Sequence, residues 1–172
     1  MEPHRRLDDR RIPTPFRRLV LGAFCAATGA DPGEAQLTPV SYPSLNAFFL
    51  RRLKDGARPQ DPDPGALLSP CDGRVQAAGL VEGERLLQAK GVDYALDDLL
   101  SGAARGADVA GALALTLYLG PSDYHRVHAP LAGVLEQVLW VPGARYSVAP
   151  KVAARVRGLF ARNERAVLSY AT

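Results

Sequence analysis

The chain has 172 residues, 47% of them hydrophobic, and a formal net charge of +3. A chain of this length can bury a core, so one domain is the default expectation. Its two cysteines exclude a disulfide framework and suit a reducing compartment. Fourteen prolines and sixteen glycines favour short strands and turns over long helices.

The first predicted element is a helix from Thr14, the expected N-cap, to Gly29, with Pro15 in its first turn. Its apolar residues repeat at helical spacing and form one stripe, flanked by arginines. The stripe consists of Phe16, Leu19, Val20, Ala23, Phe24 and Ala27. Two interpretations stay open: the stripe lies on an anionic bilayer surface, or it packs on the protein's own sheet. The longest apolar run, residues 19–27, is too short to span a bilayer.

Residues 55–65 are rich in Pro and Asp and predict a surface linker. We therefore divide the chain into an N-terminal helical region, residues 1–54, which is a candidate for membrane association, and a β-rich core, residues 55–172. A helix is predicted over Ala95–Ser101, closed by Gly102. The predicted strands are Leu67–Ser69, Arg74–Ala78, Arg85–Ala89, Leu113–Leu119, Gly133–Val141 and Ala166–Tyr170. These elements predict an α+β fold with a largely antiparallel sheet core and N-terminal helices.

Two of the three histidines lie in the segment Asp123-Tyr-His-Arg-Val-His128, directly after the predicted strand that ends at Leu119. Turn-forming residues precede this segment, and Pro130 stops any continuation. If residues 124–128 form one helical turn, His125 and His128 project from the same face. In an extended segment the two imidazoles would point in opposite directions.

A second signal is Asp72, which Pro70 and Gly73 hold in a turn before the strand that begins at Arg74. An aspartate that accepts a hydrogen bond from one imidazole nitrogen fixes the tautomer, and the other nitrogen can then take a proton from a hydroxyl nucleophile. Such a site needs a carboxylate, an imidazole and a hydroxyl. Asp72 with either His128 or His125 supplies the first two. The alternative is structural, because Asp-Gly is a common turn dipeptide.

The cysteine beside this aspartate adds two alternatives. Cys71 with a histidine would make a thiol protease pair, and Cys71 with Asp72, His125 and His128 would make a zinc site. The only metal-type spacing is His-x-x-His, so we expect no metal and take Cys71 as a small residue that fills the turn.

Together these segments resemble the bacterial phosphatidylserine decarboxylases, whose pattern has a Pro-x-Asp-Gly turn and an Asp-Tyr-His-Arg-Val-His-x-Pro segment. Other segments are similar to that family in the same order, and the resemblance covers about residues 35–170. They are Ser41-Tyr-Pro-Ser-Leu-Asn-Ala-Phe-Phe-Leu-Arg-Arg-Leu53, Leu87-Gln-Ala-Lys-Gly91, Val141-Pro-Gly143 and Leu159-Phe-Ala-Arg-Asn-Glu-Arg165.

The resemblance implies a lyase that converts phosphatidylserine to phosphatidylethanolamine and CO2. Such enzymes use a pyruvoyl group that a self-processing proenzyme makes from its own serine, and the substrate amine forms a Schiff base with it. By similarity, Asp72 and His128 would activate that serine, and His125 would serve the decarboxylation or the protonation of its product. Arg145 and Tyr146, in the loop after Val141, are candidates for contacts to the substrate headgroup.

The family's serine follows a glycine, and none of the serines in this chain does. We therefore expect the N-terminal part of a decarboxylase, incomplete at the C-terminus, without a pyruvoyl group and inactive alone. Two alternatives remain: a non-catalytic lipid-binding paralogue and a zinc-dependent hydrolase that uses His125 and His128.

The resemblance also implies partners and a location. We expect the chain to contact phosphatidylserine, an anionic membrane surface and the C-terminal pyruvoyl-bearing chain of the same proenzyme, with a homodimer left open. A peripheral position on the cytoplasmic side of the cell membrane follows from the lipid substrate. Nucleic acid is not an expected partner, because the arginines are not interleaved with aromatic residues.

Overall fold

The computed structural model of the chain describes residues 10–81, 83, 85–88, 92–103 and 109–172. Its helices are α1 Thr14–Thr28, α2 Leu45–Phe49, α3 Leu96–Leu100, α4 Pro150–Ala153 and α5 Leu159–Arg162. Its strands are β1 Arg74–Leu80, β2 Arg85–Gln88, β3 Val92–Ala95, β4 Leu113–Tyr118, β5 Val134–Val141 and β6 Arg165–Ala171. The strands pair antiparallel as β1 with β4, β2 with β3 and β5 with β6. The predicted α+β class is confirmed.

The described residues group into two compact units. The first holds the residues up to Gly73 together with Leu119–Leu131, and the second holds Arg74–Tyr118 and Ala132–Thr172. These units are defined by contacts in space, so the predicted domain division after residue 54 stays a prediction.

Helix α1 begins and ends close to the predicted limits. Thr14 is its first helical residue rather than its N-cap, because Pro13 occupies the cap position and no side chain caps the helix. The predicted N-cap was therefore wrong by one residue. At the other end Gly29 has φ 81°, a left-handed conformation that glycine adopts without a steric penalty, and its N–H donates to the Cys25 carbonyl.

The core of the first unit lies between α1 and α2. Phe48 is fully buried, with its ring at 6.1 Å from the ring of Phe24 and 5.4 Å from that of Tyr42, both edge to face. Leu21 is also fully buried in this cluster. Ser44 caps α2 by accepting a hydrogen bond from the Ala47 N–H, which fixes the start of this short helix.

The second unit contains the paired strands and the short helices α3 to α5. Arg165, at the start of β6, donates to the carbonyls of Asp98 and Leu99 in the last turn of α3 and so satisfies two helix-end acceptors. Gly143 follows β5 and lies against residues 162–164, where an added Cβ would come within 2.5 Å of the Arg162 carbonyl oxygen. Any side chain at position 143 would clash with this backbone, which explains why the residue is glycine.

Most predicted elements are confirmed, with two differences. Leu67–Ser69 is not a strand: the Leu68 N–H donates to the Pro130 carbonyl, but the neighbouring Pro70 has no N–H with which to extend a ladder. The predicted strand over Arg85–Ala89 is confirmed for β2, and Ala89 lies outside the described residues, as do Lys90 and Gly91 of the predicted family segment.

Replacing Phe48 with alanine tests the core assignment. We expect the variant to lose about 3–5 kcal/mol of unfolding free energy, because a fully buried ring leaves a cavity. The control is Phe16→Ala, at a ring that is 56% exposed, which should change stability by less than about 0.5 kcal/mol. Urea denaturation followed by circular dichroism measures both, and equal losses would contradict the core assignment.

Candidate active site

The histidine segment lies in the first unit and is not helical. Residues 124–128 do not form a helical turn, because the His128 N–H donates to the Pro70 carbonyl at 2.7 Å instead of to the carbonyl of Tyr124. Of the two conformations that the sequence left open for this segment, the helical turn is therefore not the one formed. The long-range hydrogen bond instead fixes His128 beside the Pro-Cys-Asp-Gly turn.

The two imidazoles have different surroundings. The Tyr124 hydroxyl lies 3.1 Å from Nε2 of His128, and the two rings stack with centroids 5.5 Å apart. The ring of His125 packs on Phe49, with centroids 3.8 Å apart, and its Nδ1–H donates to the Asp123 carbonyl at 2.9 Å. A carbonyl only accepts, so in the neutral His125 imidazole Nε2 is the nitrogen that keeps a free lone pair.

Asp72 occupies the predicted turn. Gly73 has φ 132°, a value that favours glycine, so this residue lets the chain turn between Asp72 and β1. The Tyr124 N–H points to Oδ2 of Asp72 at 3.4 Å, a long contact that joins this turn to the histidine segment. No hydrogen bond joins Asp72 to His125 or His128 among the residues that the structure describes.

Arg58 binds both oxygens of this carboxylate. Its Nε donates to Oδ1 of Asp72 at 2.9 Å and its Nη2 to Oδ2 at 2.7 Å, a bidentate pair. The same guanidinium donates to both carboxylate oxygens of Glu34, at 2.8 and 3.0 Å. Arg58 therefore lies between two carboxylates, one on each side.

The backbone explains how Glu34 reaches Arg58. Residues 34–36 run beside residues 52–54: the Lys54 N–H donates to the Glu34 carbonyl at 2.9 Å, and the Gln36 N–H donates to the Arg52 carbonyl at 2.8 Å. The chain then turns, with a hydrogen bond from the Ala57 N–H to the Lys54 carbonyl. Arg58 leaves this turn within reach of both acids.

The ion pairs shift two protonation equilibria. The hydrogen bonds from Arg58 hold the pKa of Asp72 below its ordinary value, against an opposing effect of partial burial, and the Tyr124 N–H adds to the lowering. The pKa of Arg58 is raised, chiefly by its hydrogen bonds to Asp72 and then by those to Glu34. Asp72 is therefore an ionised, oriented acceptor at neutral pH.

A cavity of about 660 Å³ in the first unit is lined by Asp72, Tyr124 and His128. Four cationic side chains and one further acid also line it. They are Arg52, Lys54, Arg58, Arg126 and Asp55. The aspartate and one of the two predicted histidines therefore share a cavity that has room for a ligand or a polypeptide segment.

The other predicted site residues are not among those that line this cavity. His125 is not among the lining residues, and it faces Phe49. Arg145 and Tyr146 belong to the second unit, where Arg145 pairs with Glu164 at 2.7 Å and Tyr146 packs under the guanidinium of Arg162 at 5.2 Å. Their proposed contacts to substrate stay predictions.

Cys71 also lines the cavity, but its surroundings disfavour a thiolate. Burial raises the pKa of its thiol, and the negative charges of Asp72 and Asp123 raise it further. In the described part of the chain, no three His, Cys, Asp or Glu side chains are grouped so that they could share a metal ion.

Sequence reasoning missed two residues of this site. Arg58 lies in the segment predicted as a linker, and a single arginine among prolines and acids gives no local signal of its bidentate pairing. Tyr124 lies inside the recognised histidine motif, and only the structure reveals its 3.1 Å approach to the His128 imidazole.

Comparison with known proteins gives a consistent result. The family model described as phosphatidylserine decarboxylase matches residues 45–172. A phosphatidylserine decarboxylase proenzyme of Halorhodospira halophila is 47% identical over 94% of this chain and 56% of its own length. Proenzymes of the same name from Azotobacter vinelandii and Pseudomonas fluorescens are 46% and 51% identical, over 97% and 91% of this chain and 59% and 55% of their own lengths.

The match to the family model covers most of the chain and shows a member of a decarboxylase family. The chain belongs to the phosphatidylserine decarboxylase family. It spans a little over half the length of these curated relatives.

The Arg58–Asp72 pair predicts a pH-dependent contribution to stability. Because Arg58 lowers the pKa of Asp72 in the folded chain, the pair stabilises the fold above the unfolded-state pKa of about 3.9, and this contribution is lost as the pH falls through the lower folded-state value. We expect Arg58→Gln to lose about 0.5–1 kcal/mol at pH 7, a modest value because Arg58 is 43% exposed, and to match the native chain at strongly acidic pH.

Carbon-13 NMR of the Asp72 carboxyl gives the direct measurement, and its pKa should rise in Arg58→Gln. The matched control is Arg145→Gln, which removes the exposed pair with Glu164 and should leave the Asp72 titration unchanged. An unaltered Asp72 pKa in Arg58→Gln would show that the ion pair does not control this carboxylate.

Proposed function

We propose that this chain is the part of a pyruvoyl-dependent phosphatidylserine decarboxylase that carries the acid–base groups for proenzyme self-cleavage. The observation that carries the proposal is the shared cavity of Asp72 and His128 in a chain of this family. The serine that becomes the pyruvoyl group would come from a Gly-Ser-bearing polypeptide, because no serine in this sequence follows a glycine.

The residues present fit such a group in two respects. The cavity of about 660 Å³ leaves space for a peptide segment beside His128. The Nε2 atom of His128 lies within hydrogen-bond distance of the Tyr124 hydroxyl, so a serine hydroxyl that replaces this contact would meet the same nitrogen. When bound, the pyruvoyl carbonyl supplies the electron sink that loss of CO2 requires.

In the proposed mechanism, His128 takes the proton of the incoming serine hydroxyl, which makes the oxygen a better nucleophile. The ionised Asp72 lies in the same cavity and stabilises the imidazolium that results. Since Arg58 occupies both oxygens of Asp72, a direct bond between Asp72 and His128 requires one oxygen to be shared or released when the serine segment docks.

His125 has a separate proposed role in the later decarboxylation or in protonation of its product. The support is its tautomer, because donation from Nδ1 to the Asp123 carbonyl leaves Nε2 able to accept and return a proton. Its packing on Phe49 restrains the ring in this orientation.

The cationic lining of the cavity supports an anionic substrate headgroup. Arg52, Lys54 and Arg126 line it beyond the residues of the proposed proton relay. Arg126 is held by donation from its Nε to the Leu50 carbonyl at 2.8 Å, so its position is defined before a ligand binds. Guanidinium groups suit the phosphodiester of a phospholipid.

We also propose that α1 contacts an anionic membrane surface on the cytoplasmic side. Part of the predicted apolar stripe is free of the core: Phe16 and Leu19 are 56% and 71% exposed, and Ala23 and Ala27 are exposed on the same helical face. The exposed Arg18 lies nearby in sequence. Within the described residues, no helix has the length and apolar character needed to cross a bilayer.

Joining the chain to the part of the Halorhodospira halophila relative that it does not cover tests the proposed activity. We expect self-cleavage and CO2 release from phosphatidylserine. Asp72→Asn and His128→Ala should each slow self-cleavage by about 100-fold or more, because they remove the acid–base groups. His125→Ala should still cleave but should lose decarboxylation.

Mass spectrometry measures the cleavage, and radiolabelled CO2 release measures the turnover. Arg155→Gln, at an exposed arginine of the second unit, is the control for loss of charge. Native rates of cleavage in His128→Ala would refute the proposed role of this histidine, and no decarboxylation by a correctly cleaved native fusion would refute the proposed function.

Vesicle flotation of the same fusion tests the membrane proposal. We expect Leu19→Glu to reduce flotation with vesicles containing phosphatidylglycerol by about tenfold, since it places a carboxylate on the exposed apolar face. Leu67→Glu introduces the same change at another exposed leucine and should float like the native protein. Equal flotation of both variants would show that α1 does not contact the membrane.

A further inference from the structure

A separate cavity in the first unit has three arginines in its lining. Its volume is about 340 Å³, and none of its lining residues is acidic. The arginines are Arg51, Arg52 and Arg126, and the other lining residues are Gln36, Leu37, Tyr42, Ala47 and Leu50. Arg52 and Arg126 also line the cavity of Asp72 and His128, whereas Arg51 and Tyr42 line only this one of the two.

The central feature is the guanidinium of Arg51, whose residue is only 2% exposed. It lies over the ring of Phe48, 5.0 Å from the centroid, and its Nη2 makes a long contact of 3.4 Å with the Ser122 carbonyl. In the part of the chain that the structure describes, its Nε and Nη1 have no hydrogen-bond partner. A buried guanidinium is normally paired with an acid, because desolvation of an unpaired charge is costly.

Tyr42 lines the same cavity and has a second unused donor. The residue is buried and its ring packs edge to face on Phe48, but its hydroxyl has no hydrogen-bond partner among the described residues. Two residues that line this cavity therefore carry buried polar atoms without a partner. A site that is complete without a ligand would satisfy these donors from within the protein.

We propose that this cavity is a binding site for a phosphate group, distinct from the proposed decarboxylation site. A phosphate offers several acceptor oxygens and one or two negative charges, which matches the unused Arg51 donors, the Tyr42 hydroxyl and the charges of Arg52 and Arg126. A carboxylate has only two oxygens and would satisfy fewer of these donors.

Two sources of phosphate share this chemistry: a free phosphate compound and the headgroup of an anionic phospholipid. The proposal goes beyond the decarboxylase function and does not depend on Asp72, His128 or the pyruvoyl group. It can therefore be tested with the chain as it stands.

The test is calorimetric titration of the full chain with inorganic phosphate at constant ionic strength, with chloride as the competing anion. Tyr42→Phe is the most informative variant. The hydroxyl has no partner within the described residues, so its removal should leave the melting temperature unchanged or raise it, while phosphate affinity should fall about tenfold. If Tyr42 only supported the fold, its replacement would not lower the phosphate affinity while the melting temperature is kept.

Arg52→Gln provides a second variant at an exposed position, and it should also weaken phosphate binding without a loss of stability. Arg155→Gln is the control, because it removes one exposed positive charge from the second unit and should bind phosphate like the native chain. The proposal is overturned if phosphate binds no better than chloride, or if Tyr42→Phe binds phosphate as the native chain does.

Vesicles of phosphatidylglycerol in phosphatidylcholine then distinguish the two sources. Weaker vesicle binding by Tyr42→Phe than by Arg155→Gln supports a lipid headgroup as the ligand. Unchanged vesicle binding together with the loss of phosphate affinity supports a free phosphate compound. Unchanged binding of both phosphate and vesicles overturns the site.

Discussion

The guanidinium of Arg58 joins segments that are distant in sequence. It binds Glu34 near the N-terminal helix and Asp72 in the turn before β1, with four hydrogen bonds to the two carboxylates. The orientation and ionisation of Asp72 follow from this contact, and the Tyr124 N–H then approaches the same carboxylate. The proposed proton relay therefore depends on a residue that takes no proton itself, and docking of a serine segment has to accommodate this existing pair.

Local patterns in the sequence were sufficient for most elements of secondary structure. Helix α1 ends at the glycine that its pattern indicated, and α3, β1 and β4 to β6 lie within a few residues of their predicted limits. The failures occurred where a long-range hydrogen bond or a proline decided the outcome. Leu67–Ser69 lacks a ladder because Pro70 has no N–H. For residues 124–128 the sequence left two conformations open, and the hydrogen bond from His128 to the Pro70 carbonyl decides against the helical one.

The site was predictable in part for the same reason. A turn and a histidine motif are local, so Asp72 and His128 were found, and the structure places them at one cavity. The pairing of Arg58 and the two unused donors of Arg51 depend on how separate segments meet, which no spacing in the sequence encodes. The apolar stripe of α1 illustrates the limit: Phe24 contacts the core while Phe16 and Leu19 stay exposed.

The exposed surface of β5 has a practical consequence. Trp140 is the only tryptophan of the chain, and it is 76% exposed on a strand whose described partner is β6. An indole in water and one under a protein surface emit at different wavelengths. The chain thus contains one intrinsic optical reporter, which would register the arrival of any polypeptide that covers this strand without a label being attached.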